Sequence, residues 1–213
     1  MFLRLCLAFL LPSMAMAATD PAAMCEQAAQ IAAREEGVPF DVMRALTLTE
    51  TGRRQDGALR PWAWAVNRAG EGQWFDTREQ ALAFAESSLR QGARNFDVGC
   101  FQLNHRWHGD AFRDLAAMFD PVTNARYAAR YLREQFATTG DWTAAAGAYH
   151  SFTPEFAQRY SARFAQLRGG MADMPAPTQV AVHRENNFPL LRGGQGASGS
   201  LVPLSGGRKL FGP

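Results

Sequence analysis

Glu50 is the residue that packing explains least. Between Pro39 and Thr51, the positions Pro39, Val42, Met43 and Leu46 repeat at helical spacing, and Glu50 falls within their arc. A carboxylate on an apolar stripe is desolvated, which raises its pKa, and a place in the last helical turn sets it against the helix dipole, which pushes the same way. A carboxyl group kept protonated near neutral pH can give a proton to a leaving oxygen, the task of a general acid in glycoside cleavage. The alternative is a frayed helix end with Glu50 in water or paired with Arg53 or Arg54. Glycoside cleavage ordinarily needs a second carboxylate. Asp56 and Asp97 are the candidates, both in turn-like contexts.

The remaining reactive residues suggest no metal and no cofactor. His105 and His108 are three apart and can share a helix face, but no third ligand is evident. There is no phosphate-binding glycine loop and no EF-hand pattern.

The elements that must carry Glu50 are mostly helical. Residues 22–36 form an alanine-rich helix stopped by Gly37, and the Glu50 helix runs from Pro39 to Thr51. Thr77 with Gln80 makes a capping box that opens a helix to about Gln91. Asp120-Pro121 opens another (about 121–138), Trp142–His150 is a short one, and Thr153-Pro154 opens the last (154–167). Residues 61–76 break the pattern. Trp62, Trp64 and Val66 alternate with smaller residues, Arg68–Gly72 read as a turn, and Gln73–Phe75 return, which predicts a hairpin. A small β element set into a helical domain is the lysozyme-like arrangement, so the expected class is mainly α with a β-hairpin insertion.

The ends read differently. Residues 1–17 carry Arg4, an apolar run from Leu5 to Leu11 and Ala15-Met16-Ala17, the layout of a cleaved signal peptide. The apolar run is too short to span a bilayer, which needs about 20 residues, so an exported protein without a stable membrane anchor is expected. In that compartment the two cysteines left, Cys25 and Cys100, suggest a disulfide, with two buried free thiols as the alternative. From Arg168 to Pro213 the chain is rich in glycine pairs and proline without apolar period, and a disordered tail is expected. Its apolar islands, Phe188–Leu191, Leu201–Leu204 and Leu210-Phe211, suggest a docking segment that orders on a partner. The chain totals 22 basic and 20 acidic residues, a formal net charge of +2. Residues 18–167 hold 16 basic and 18 acidic residues, so the excess lies in the tail and a nucleic-acid partner is not expected.

Four runs give the sequence a family likeness. VPFDVMRALTLTETGRR, DVGCFQLN, NARYAARYL and AAGAYHS, in this order across about residues 25–167, resemble the catalytic domain of the soluble lytic transglycosylases. The resemblance implies a lysozyme-like enzyme that cuts peptidoglycan in the periplasm. It makes Glu50 the catalytic acid/base, followed by Thr51 where serine is usual. Gly99 and Gln102 match a G-x-x-Q motif whose glutamine lies in the saccharide cleft, and Tyr149 matches a tyrosine whose hydroxyl reaches towards the catalytic region. Asn124, Tyr131 and Leu132 match a mostly structural block. His150 stands where asparagine is common, and Ala93 where many relatives carry serine. Trp62, Trp64 and Trp74 belong to a tryptophan-rich hairpin, some of whose rings are expected to stack on sugars or else to pack the hairpin.

The resemblance also accounts for the missing second carboxylate. In that family the N-acetyl group of the substrate helps to stabilise the cationic intermediate. The same glutamate then deprotonates the muramyl 6-hydroxyl and a 1,6-anhydro ring closes. The expected reaction is therefore cleavage between N-acetylmuramic acid and N-acetylglucosamine without water. The alternatives are a hydrolysing muramidase and a non-catalytic wall-binding assembly factor. Small family members often serve trans-envelope machines such as flagella or secretion systems, a role that the tail suits.

Overall fold

In the computed structural model, residues 20–171 are described. Asp20 accepts the amide of Ala22 and opens α1 (Pro21–Glu36), which ends at Gly37 in the left-handed region. Pro39 starts α2 (Phe40–Thr51). Two short hairpin strands follow, β1 (Arg53–Gln55) and β2 (Ala58–Arg60), then β3 (Ala65–Arg68) and β4 (Glu71–Trp74). The Thr77–Gln80 capping box opens α3 (Arg78–Arg90). Strands β5 (Phe96–Val98) and β6 (Leu103–Asn104) lead into α4 (His105–His108), a 3₁₀ turn at Gly109–Ala111 and α5 (Leu115–Met118). The chain then runs through α6 (Pro121–Thr139), α7 (Trp142–His150) and α8 (Pro154–Gly169).

The class is mainly α with a small β insertion, and the predicted helices form within one or two residues of their expected bounds. The insertion is larger than the expected hairpin. The strands β4-β3-β5-β6 make one antiparallel sheet, with Val66 opposite both Gln73 and Val98, and β1-β2 make a separate ribbon. The expected strand over Trp62–Trp64 does not form. Residues 61–66 are all buried, so the aromatic alternation does not separate a wet face from a dry one. Trp62 N–H donates to the Thr51 hydroxyl and its indole N–H to the Phe75 carbonyl, which draws this segment off the ladder.

The helices meet through small residues. Ala28, Ala29 and Ala32 of α1 and Ala125, Ala128 and Ala129 of α6 are fully buried, which lets the two backbones approach closely. Arg126 closes this pair at the surface with a two-pronged contact to Glu35, at 2.5 and 2.9 Å. Gly147 does the same for α7 and α8. A Cβ there would lie 2.3 Å from the Ser161 hydroxyl and 2.9 Å from the Ala157 carbonyl oxygen, so only glycine permits this approach. Helix α8 also runs past the expected end at Leu167. Arg168 donates to Asp41 at 2.6 Å and Met171 packs against the core, so the domain claims residues assigned above to the tail. The proposed signal peptide and the rest of the tail lie outside the described residues.

Cys25 of α1 and Cys100, in the loop between β5 and β6, form a disulfide across 75 residues of sequence, with Cα atoms 5.5 Å apart. Closing so long a loop restricts the unfolded chain, a stabilisation of about 2–4 kcal/mol. Cys25→Ser/Cys100→Ser should lower the urea midpoint accordingly in equilibrium unfolding. An unchanged midpoint would rule out a stabilising role for this bond.

Candidate active site

Glu50 lies in the last turn of α2, at the point where two limbs of one groove meet. The long limb, about 640 Å³, is lined by Asp97, Asn104, Trp107, Tyr149, His150 and Phe152 among others. The short limb, about 230 Å³, is lined by Gly72, Gln73, Trp74 and Arg163. Glu50, Asn67 and Gln102 border both. An extended ligand crossing the groove would thus pass over the Glu50 carboxyl.

Protein atoms surround much of that carboxyl group, although Glu50 stays part-exposed to the groove. Desolvation pushes its pKa up to about 8, and the neighbouring charge of Asp97 adds to the rise. Tyr160, on α8, donates its hydroxyl to Glu50 Oε1 at 2.6 Å and, with the positive charge of Arg163, pulls the value partly back. Among the described residues Glu50 makes no pair with Arg53 or Arg54: Arg53 instead stacks over Trp62, 4.2 Å from the ring centre. Burial of Tyr160 and the adjacent Glu50 in turn hold the phenol well above its ordinary pKa, so it stays a donor. Sequence reasoning missed Tyr160. Its only signal was helical periodicity in residues 154–167, which does not say what a buried tyrosine faces.

The loop from Gly99 to Gln102 is held from several sides. Gly99 has φ +79°, and a Cβ there would come within 2.8 Å of the Asn124 amide, so the motif glycine answers to backbone and packing. Asn124 is fully buried, accepts from Phe101 N–H and donates to the carbonyls of Val98 and Met118. Thr47 donates to the Cys100 carbonyl at 2.8 Å, and Tyr149 to the Phe101 carbonyl at 2.8 Å. Gln102, at φ +44°, donates its amide to the carbonyls of Ala65 and Gly99. Among the described residues its side-chain oxygen accepts no hydrogen bond, which leaves it available to a ligand N–H or O–H.

Several residues that the resemblance or the hairpin brings to the site have other work. Thr51 is buried; its hydroxyl bridges the Thr47 carbonyl and the Trp62 amide, and its own carbonyl holds the Trp74 indole. Gly99 shapes the loop and does not line the groove. Trp62 and Trp64 are each only 6% exposed, packed in the core rather than offered to a ligand. The exposed rings are different ones: Trp74 at 45%, Trp107 at 71% and Phe152 at 78%. Trp107 and Phe152 went unnoticed because a lone aromatic in a loop or short helix carries no periodic signal. Tyr149 does line the groove, and His150 stacks on Tyr160 with ring centres 4.5 Å apart.

Of the two candidate second carboxylates, Asp56 lies in the β1–β2 turn with φ +49°. Asp97 lines the groove, where burial raises its pKa and Asn104 donates to it at 2.7 Å. His105 stacks on Phe96, and His108 contacts the Tyr127 hydroxyl at 2.9 Å, so the two histidines face different partners.

Residues 79–164 match the family model described as the transglycosylase SLT domain. The matched range holds Gly99, Gln102, Asn124, Tyr149 and Tyr160 but begins after Glu50. No curated protein and no solved structure matches the chain.

The raised pKa of Glu50 makes stability depend on pH. Between an unfolded value of 4.5 and about 8, the folded state holds the extra proton. Stability is therefore lost as pH rises through this window, at up to about 1.4 kcal/mol per pH unit. Glu50→Gln escapes this loss. Its thermal midpoint should match wild type near pH 5 and exceed it increasingly towards pH 8; a gap that does not change with pH would contradict the burial of a protonated acid.

Proposed function

We propose that the chain, whose residues 79–164 match the transglycosylase SLT domain, is an enzyme of the lytic transglycosylase family in which Glu50 cleaves the β-1,4 bond between N-acetylmuramic acid and N-acetylglucosamine. The observation that carries this reading is one carboxyl group, its pKa pushed up to about 8 by desolvation, on the border that two groove limbs share. A protonated Glu50 gives its proton to the bridging oxygen as the bond breaks. The departing sugar leaves positive charge on the muramyl ring, which the neighbouring N-acetyl group of the substrate stabilises. Glu50, now a carboxylate, takes the proton of the muramyl 6-hydroxyl. That oxygen closes the 1,6-anhydro ring and the acid is regenerated. Tyr160 supports both halves of the cycle, since its hydroxyl hydrogen-bonds Glu50 and stabilises the ionised form. Gln102 and the rings of Trp74, Trp107 and Phe152 suit the binding of N-acetyl sugars, with amide hydrogen bonds and apolar faces.

Hydrolysis is the second reading, and Asp97 is what favours it. A carboxylate on the same groove can activate water or steady a cation, as in glycosidases with two acids. Digestion of isolated peptidoglycan separates the two, because anhydro products weigh one water less than hydrolysed ones. We expect anhydro products from wild type, none from Glu50→Gln, and activity of Asp97→Asn within about tenfold of wild type. Water-added products, with a loss of about a hundredfold or more in Asp97→Asn, would establish the muramidase reading instead.

The same reading extends to the ends of the chain: export by residues 1–17 into the periplasm, and recruitment by the tail to an envelope-spanning machine. With Arg168 bound to Asp41, the cut belongs after Met171. Deleting residues 172–213 should spare activity on isolated peptidoglycan and abolish recruitment in cells. Loss of activity in the purified enzyme would assign the tail to the catalytic domain.

A further inference from the structure

The two limbs of the groove differ in charge. The long limb carries Glu50 and Asp97 and is lined by no lysine or arginine, whereas the short limb is lined by Arg163. Arg163 follows Tyr160 by about one turn of α8, so one helix supplies both the phenol on Glu50 and a guanidinium beside it. It is exposed, and among the described residues it makes no hydrogen bond or ion pair with a carboxylate. That sets it apart from Arg60, Arg126 and Arg168, each hydrogen-bonded to an acidic side chain. Glu50 does not supply the counter-charge either, because it is neutral when ready to act.

Trp74 lines the same limb. Its ring is 45% exposed and its indole N–H is tied to the Thr51 carbonyl at 3.2 Å, which fixes the ring plane. A fixed aromatic ring beside an unpaired guanidinium suits a sugar that carries a carboxylate. The ring takes the apolar sugar face, and the planar fork of donors takes the anion.

We propose that Arg163 forms a subsite for the carboxylate borne by the muramyl sugar. Charge then sets the polarity of the glycan strand across Glu50, with the acidic substituent in the short limb. This rests on the reading of the glycan strand as substrate. Two parts of that substrate offer the same chemistry: the lactyl carboxylate of a sugar stripped of its peptide, and the carboxylates of an attached stem peptide.

Binding measured on the Glu50→Gln background keeps any change in Glu50 ionisation out of the result. The probes are soluble glycan strands bearing stem peptides, the same strands stripped by an amidase, and a neutral chito-oligosaccharide of equal length. In calorimetric titrations at low salt, adding Arg163→Ala should weaken binding of a carboxylate-bearing strand about tenfold. Affinity for the chito-oligosaccharide should not change, and Arg163→Lys should restore part of the loss. A loss confined to peptide-bearing strands assigns the stem carboxylates, one confined to stripped strands assigns the lactyl group, and a loss on both assigns either carboxylate. Equal losses on charged and neutral probes, or none on any, would overturn the subsite. If wild type neither binds nor cuts peptidoglycan, the underlying reading fails instead.

Discussion

The buried loop between β5 and β6 is the constraint on which the site depends. A buried backbone must find a partner for each polar group, and an unpaired one costs about 1–3 kcal/mol. Here the partners come from different elements: Thr47 on α2, Asn124 on α6, Tyr149 on α7 and Ala65 on β3. The disulfide adds α1. Satisfying the loop therefore brings four helices and the sheet to one place. Gln102 is carried on that loop, and Thr47 stands one turn before Glu50 on the same helix, so the bonds that settle the loop also settle the site.

Glu50 itself works against stability. It is desolvated, at the C-terminal end of a helix and near a second carboxylate, and each of these features disfavours its charge. Tyr160 is the main counterweight, a single donor fixed by the close packing of α7 on α8 at Gly147. The result is an acid that can still ionise, because its anion has a hydrogen bond waiting. Acid–base cycling on one residue needs both properties, a proton held near neutral pH and a carboxylate that is not prohibitively costly.

The β insertion provides the other wall. Antiparallel pairing of β3 with both β4 and β5 places Asn67, Asp97 and the Trp74 end of β4 along one side of the groove, facing the helices that carry Glu50, His150 and Arg163. Trp62 and Trp64, in the segment that leads into β3, are buried in the core, while Trp74, Trp107 and Phe152 stay exposed. Core packing and surface exposure thus fall to different aromatic residues.

Local sequence rules determined the longer helices, and for a physical reason. The capping box at Thr77, the N-caps at Asp120 and Asp141 and the stops at Gly37 and Gly140 act through neighbours within a few residues. Helical periodicity was also enough to place Glu50 on the buried face of α2, since burial of a stripe follows from spacing alone. The Asp56-Gly57 turn was legible as a hairpin signal, although β1 and β2 went unread beside the more prominent tryptophans. Which aromatics stay exposed was decided only by the tertiary structure, because alternation marks two faces without saying which is wet. So were the bond from Tyr160 to Glu50, 110 residues apart, and the arrival of Asp97 and Arg163 on opposite limbs of the groove. Those contacts join distant parts of the chain, and their energy depends on a surrounding dielectric that exists only once the helices have packed.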